Sequence, residues 1–171
     1  MLHRERLFQK LDAARKKRII WVAGPAGSGK TTLLSSYIRS RALPCLWYQV
    51  DGGDNDLATF FYYLGLAAKK AAPRRHRSLP LLTAEYLMGI PEFSRNFFEE
   101  LYNRLKPPAV LVFDNYQEVP EDAPLHGSII EGLSRIPDDI TCVLVSRTSP
   151  ITPYMRLKAN QRMPVIDWQD P

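Results

Sequence analysis

Five short runs rich in aliphatic and aromatic residues punctuate the chain: Arg18 to Gly24, Cys45 to Asp51, Ala109 to Asn115, Thr141 to Arg147 and Met163 to Trp168. Their apolar residues are continuous rather than alternating. That is the pattern of strands buried on both faces, as in a parallel sheet sandwiched between helices. Between the runs the spacing turns helical. Leu57, Phe60, Phe61, Leu64, Ala67, Ala68 and Ala71 recur one helical turn apart, and Asp54, Asn55 or Asp56 can cap the start. Phe93, Phe97, Phe98, Leu101, Tyr102 and Leu105 form a second stripe, closed by Pro107-Pro108. Leu125, Ile129, Ile130, Leu133 and Ile136 form a third, stopped by Pro137, and Glu5 to Lys17 predicts an N-terminal helix with Leu7, Leu11 and Ala14 inward. These stripes read as core. Strands alternating with helices predict the α/β class. Residues 73–91, with three prolines and the cluster Arg74-Arg75-His76-Arg77, read as an irregular, mobile surface segment whose basic cluster has no assigned role.

Composition narrows the class. A chain of 171 residues, 45% hydrophobic and 24% charged, fits one domain and excludes a disordered or low-complexity protein. Apolar runs such as Ile19 to Ala23 are five residues long, well short of a membrane span. The charged start, with no apolar leader behind it, predicts a cytoplasmic protein. Cys45 and Cys142 lie in strand-like runs without metal-ligand spacing and read as buried free thiols. Net charge is +5, and residues 1–18 alone carry seven Lys/Arg against two acids. Such clusters are most often solvated faces, and DNA contact by this domain is not expected, although a nucleic-acid surface is the other reading.

The strongest motif is Gly24-Pro25-Ala26-Gly27-Ser28-Gly29-Lys30-Thr31, which matches G-x-x-x-x-G-K-[ST] between a strand and a helical run. Glycines 24, 27 and 29 permit backbone angles that let successive N–H groups converge on phosphate oxygens, helped by the positive end of the following helix. The expected cradle is Gly24 to Thr32. Lys30 would reach the β- and γ-phosphates, and Thr31 would ligate Mg²⁺. Ala109 to Phe113 then delivers Asp114 at a strand end, either as the water-mediated partner of that metal or as a plain turn residue. Many ATPases of this kind place a second acid next, to polarise the attacking water. Here the residue is Asn115, which cannot take a proton, so slow hydrolysis is expected. Gln117 and Glu118 either orient water in its place or sit in solvent. Arg147, at the end of the Thr141 run, either senses the γ-phosphate or makes a surface ion pair.

The segments Trp21 to Leu33, Trp47-Tyr48-Gln49-Val50-Asp51-Gly52-Gly53-Asp54-Asn55-Asp56, Leu111 to Tyr116 and Val143 to Pro150 together resemble the nucleotide-binding domain of STAND ATPases. The nearest resemblance is to the MalT-like bacterial transcriptional regulators, and it covers nearly the whole chain. The resemblance implies a three-layer P-loop NTPase fold of the additional-strand type, with a parallel sheet of order 5-1-4-3-2. It implies an ATP/ADP switch with Mg²⁺, reset by slow hydrolysis, that forms ATP-dependent homo-oligomers in the full-length regulator. It also implies further parts: a helical sensor and a DNA-binding or activation domain. On this reading residues 1–171 are a single domain excised from a longer protein. Position 115, where such regulators usually keep a second aspartate, departs from the pattern. The stretch Leu2-His3-Arg4 resembles the lead-in that lies near adenine. The alternative function is a small P-loop kinase, or another ATPase, acting on a metabolite, with Arg74, Arg75 and Arg77 as lid arginines. A kinase would keep its phosphate-loop strand beside its aspartate strand.

Overall fold

The computed structural model describes residues 2–73, 78–86 and 89–168. The chain runs α1 (Leu2–Ala14), β1 (Ile19–Ala23), α2 (Lys30–Ser40), β2 (Cys45–Gln49), α3 (Leu57–Ala71), α4 (Ile90–Arg104), β3 (Ala109–Asp114), α5 (Pro124–Leu133), β4 (Ile140–Ser146), α6 (Met155–Ala159) and β5 (Val165–Asp167). All strand pairs are parallel, in the order β2-β3-β4-β1-β5, which from the other edge is the expected 5-1-4-3-2. The register sets Ala23 beside Ser146, Phe113 beside Leu144 and Gln49 beside Asp114. The carboxyl ends of β2, β3, β4 and β1 therefore finish along one rim, where open α/β sheets bind ligands.

Strand alternation divides the core in two. Ile19, Trp21, Leu111, Phe113, Cys142 and Leu144 face a layer that includes Phe60, Phe61, Phe97 and Phe98 from α3 and α4 and Ile129 from α5. Ile20, Val22, Val110, Val112, Val143 and Val145 face α1 and α2 through Leu7, Leu11, Leu34, Tyr37 and Ile38. α1 is pinned to the end of α2 where the Arg41 guanidinium donates to both Asp12 oxygens at 2.8 and 3.0 Å and Tyr37 Oη donates to one of them. These bonds hold the Asp12 carboxyl below its ordinary range, the Arg41 bond contributing most.

Not every strand is buried on both faces. β3, β4 and β1 are, but β2 and β5 are the sheet edges: Cys45 and Trp47 are half-buried and Gln49 is exposed. Continuity of apolar residues does not distinguish an edge from a centre, because half-buried Cys and Trp count as apolar in both. Both thiols are free; Cys142 is buried, whereas Cys45 is only half so, and burial pushes its thiol up to about 12. Element ends also differ from the sequence reading. The N-terminal α-helix stops at Ala14 rather than Lys17. A 3-10 turn follows, and Arg18 adopts φ 71° while its guanidinium donates to Ile136 O and pairs with Asp138. α5 ends at Leu133, three residues before the expected Ile136. α6 was not foreseen. The predicted cap of α3 is Asp56, whose carboxylate accepts from Thr59 N at 3.1 Å. Among the described residues of the stretch 73–91, Leu79 is buried in the core, a 3-10 turn spans Ala84–Tyr86 and α4 begins at Ile90. The cluster Arg74 to Arg77 lies outside the described residues.

A buried polar chain crosses the larger core layer. His126 Nε2 lies 2.8 Å from Pro120 O, which can only accept, so Nε2 carries the hydrogen and Nδ1 accepts from Tyr116 Oη. Tyr116 in turn accepts from Tyr154 Oη. The Trp21 ring packs edge-on against Tyr116 at 5.6 Å, and its indole N–H donates to Thr148 O at 2.9 Å.

Two predictions follow from this packing. A methyl group on Gly132 would run into the buried Phe98 ring where α5 crosses α4, next to the Tyr102 Oη bond to Gly132 O. Gly132→Ala should lower stability by about 1–3 kcal/mol in urea unfolding, the usual cost of overpacking; a neutral effect would refute the close approach. Burial, the largest cause, holds His126 below its ordinary 6.5, against weaker opposing effects of its Pro120 bond and of Glu121 and Asp122. The unfolded chain then takes up the proton first, so stability falls as pH drops through about 6.5 toward the folded value. His126→Gln should flatten that slope between about pH 7.5 and 5.5. An unchanged slope would show that His126 titrates alike in both states.

Candidate phosphate-binding site

The motif loop leaves the buried end of β1 and enters α2 at Lys30. Ser28 N donates to Pro25 O at 3.2 Å, closing a turn, and Leu33 N to Gly29 O at 3.0 Å starts the helix. Gly27 and Gly29 have φ of 76° and 82°, values that side chains resist, and among the described residues no heavy atom beyond their chain neighbours lies within 4 Å of where either Cβ would sit. Gly24 serves a different purpose: its Cβ would come within 2.8 Å of Trp168 Cβ, so this glycine admits Trp168 to the loop. Trp168 N also donates to Ala23 O at 2.8 Å. Beside the loop a cleft of about 560 Å³ is lined by His3, Leu7, Gly29, Thr32 and Trp168, among others. Pro25 and Ala26 are exposed.

Asp114 is almost fully buried at the rim, 3% exposed, and collects donors from three elements. Asn115 N donates to Oδ1 at 2.8 Å and Gln49 Nε2 to Oδ2 at 3.1 Å, while Thr31 Oγ1 and Trp47 Nε1 reach Oδ2 only at 3.3 Å. The first two are ordinary hydrogen bonds, and the last two are longer than usual. Lys30 Nζ folds back on Pro25 O at 3.2 Å. Its pKa is lowered, chiefly by burial and less by Arg147, against the raising pull of Asp114.

Asn115 sits at φ 57°, a left-handed conformation that asparagine tolerates better than most residues. Its Nδ2 donates to Gln49 Oε1 at 2.7 Å. Arg147 pairs with Glu118 at 2.9 Å with both side chains about half exposed, and Arg147 N donates to Gln117 Oε1 at 3.1 Å. The loop after β3 is thus clasped to the end of β4. The strand order sets β4 between β3 and β1, and Arg147 lies close enough to Lys30 for its charge to lower the Lys30 pKa.

These groups fit a magnesium-bound nucleotide phosphate. Ser28 Oγ, within the loop and beside Gly24, is buried with no hydrogen-bond partner. Thr31 Oγ1 and the Asp114 carboxylate are two hard oxygen donors already adjacent. Among the described residues no group of three His, Cys, Asp or Glu could hold a metal, but Mg²⁺ takes one or two protein oxygens and completes its shell with phosphate and water.

Sequence reasoning named Lys30, Thr31, Asp114, Asn115 and Arg147, and all five lie around this rim. It assigned no role to Trp47 or Gln49, which converge on Asp114 from the neighbouring strand. Their alternate spacing in β2 places them on one face, yet only the β2–β3 register reveals that this face borders Asp114.

The chain is similar to curated regulators over 94% of its length. It is 27% identical to the HTH-type transcriptional regulator MalT of Klebsiella pneumoniae, 28% to that of Cronobacter sakazakii and 30% to that of Yersinia pestis. It spans about 18% of the length of each of those relatives. In fold it resembles Cdc6p from Pyrobaculum aerophilum, with a TM-score of 0.62 and 18% identity, over 97% of this chain and 45% of that one. The resemblance to MalT-like regulators and the α/β P-loop architecture expected from it are both present. A family model described as Nephrocystin 3, N-terminal, matches residues 1–147, from α1 through the phosphate loop and the Asp114 rim to the end of β4, and on that match the chain belongs to the nephrocystin 3 N-terminal family.

Proposed function

We propose that this chain is the nucleotide-binding regulatory domain of a signal-responsive bacterial transcription regulator, holding ATP or ADP with Mg²⁺ and hydrolysing ATP slowly to reset its state. The observation that carries this reading is the glycine loop, open at Gly27 and Gly29, set against a Thr31–Asp114 oxygen pair at 3.3 Å. Backbone N–H groups of the loop and the first turn of α2 cradle the phosphates, Ser28 Oγ finds a partner there and Lys30 swings from Pro25 O to a phosphate oxygen. Thr31 and Asp114 hold Mg²⁺, which supplies charge neutralisation at the phosphates. The cleft beside Trp168 takes the base. Arg147 exchanges Glu118 for the γ-phosphate; a half-exposed ion pair is worth little, about 0–1 kcal/mol, so the exchange costs little.

The MalT relatives support the regulatory role. Their greater length supports further domains, which would read the signal and the DNA in a cytoplasmic protein and assemble it when ATP is bound. The position of β4 between β1 and β3 speaks against a metabolite kinase, and the lid arginines of that reading lie outside the described residues.

Calorimetric titration with ADP and ATP, with and without Mg²⁺, followed by phosphate release, tests this reading. Lys30→Ala should weaken nucleotide affinity by about 100-fold, the loss of one or two charge-assisted bonds, at unchanged thermal stability. Equal affinity would remove the phosphate-loop assignment. Asn115→Asp should raise the hydrolysis rate by about 100-fold, because a general base is restored where the amide cannot take a proton. An unchanged rate would place the water under the control of another residue.

A further inference from the structure

Gln49 and Asn115 face each other across the β2–β3 edge, and hydrogen-bond bookkeeping fixes how both amides are turned. Asp114 Oδ2 is a carboxylate oxygen and only accepts, so the Gln49 group 3.1 Å from it is the NH₂. Gln49 Oε1 then points the other way, and the group of Asn115 that meets it at 2.7 Å must be the NH₂ of that side chain. Asn115 is held a second time, by its own backbone N–H on Asp114 Oδ1 at 2.8 Å. The Asn115 side chain is thereby left with its carbonyl oxygen open, a group that accepts and does not donate, alongside the second hydrogen of its NH₂. Among the described residues that oxygen makes no hydrogen bond.

We infer that Gln49 is a positioning residue that fixes the Asn115 amide so that its oxygen, and not its NH₂, faces the rim where water would approach the terminal phosphate. This rests on the nucleotide reading above and gives Asn115 a definite task within it. An amide oxygen in that place orients water by accepting one of its hydrogens, while the proton must leave by another route, which accounts for slow turnover. The chain of contacts has a further consequence. Gln49 donates to the same carboxylate that faces Thr31, so whatever engages Asp114 also bears on the Gln49 bond and hence on the Asn115 amide. No step here needs Asn115 to change its protonation.

Gln49 is exposed on an edge strand, so its truncation leaves the core intact. The test uses three variants of the chain: Gln49→Ala, Asn115→Ala and the double variant Gln49→Ala/Asn115→Ala. In ¹H–¹⁵N spectra without nucleotide, the Asn115 side-chain amide pair, identified by its loss in Asn115→Ala, should shift in Gln49→Ala. ADP affinity in Gln49→Ala should stay within about twofold, whereas single-turnover ATP hydrolysis should fall about tenfold, the effect of losing one oriented hydrogen bond. In the Asn115→Ala background the same truncation should cost clearly less than it does alone, because the part of its effect that acts through the Asn115 amide is gone and only its bond to Asp114 remains to be lost.

An unmoved Asn115 signal, intact hydrolysis in Gln49→Ala or an equal loss in the Asn115→Ala background would each overturn the inference while leaving nucleotide binding in place. Failure of the unsubstituted protein to bind ATP or ADP would instead remove the nucleotide reading, and this inference with it.

Discussion

A carboxylate buried at the end of a central strand must be surrounded by donors, or the fold cannot hold it charged. Asp114 meets that demand with groups from β2, from the turn after β3 and from the first turn of α2. The requirement ties the rim together. The phosphate loop, the edge strand and the Asn115 turn are fixed relative to one another because each supplies a bond to the same two oxygens. Two of those bonds are long, one from Thr31 on the loop side and one from Trp47 on β2, so the carboxylate is held tightly by Gln49 and the Asn115 backbone and loosely by the other two. The long Thr31 bond is compatible with the proposed sharing of a cation between these two groups.

The remainder of the molecule keeps this rim rigid from below. β1, β3 and β4 are buried on both faces, and their register is enforced by two separate packing layers, one rich in Phe and one in Val and Leu. A one-residue slip in any of these strands would exchange the two faces, placing Trp21 and Phe113 against α1 and α2. The Tyr154–Tyr116–His126–Pro120 chain adds direction to the aromatic layer, since the acceptor-only Pro120 carbonyl orders every hydrogen along it. Tyr116 follows Asn115 directly, so the turn that presents Asn115 is anchored on one side by Asp114 and on the other by this chain. The Arg147–Glu118 pair lies at the surface of the same turn, a weak contact placed where exchange for another anion is easy.

Sequence alone determined the class and the strand-by-strand order of elements, because buried parallel strands must be continuously apolar and the helices between them must each show an inward stripe. It also determined the phosphate loop, since the positive φ at Gly27 and Gly29 restricts those positions so strongly that the pattern survives in one dimension. Asp114 was legible for a related reason, as a lone acid ending an otherwise apolar strand. The strand order agreed with what the MalT-like resemblance implied, and no periodicity in the chain encodes it.

What only the tertiary structure decided depends on contacts between residues far apart in sequence. Gln49 and Asp114 are 65 residues apart and become neighbours through the β2–β3 register, and Gly24 needs to be glycine because Trp168, from the far end of the chain, packs on it. The edge position of β2, the anchoring of Leu79 and the Glu118 partner of Arg147 are likewise products of the assembled sheet. The physical reason is common to all of them. Hydrophobic period and turn chemistry are local and are written residue by residue, whereas which polar group meets which is settled by how strands align, and no single segment carries that alignment.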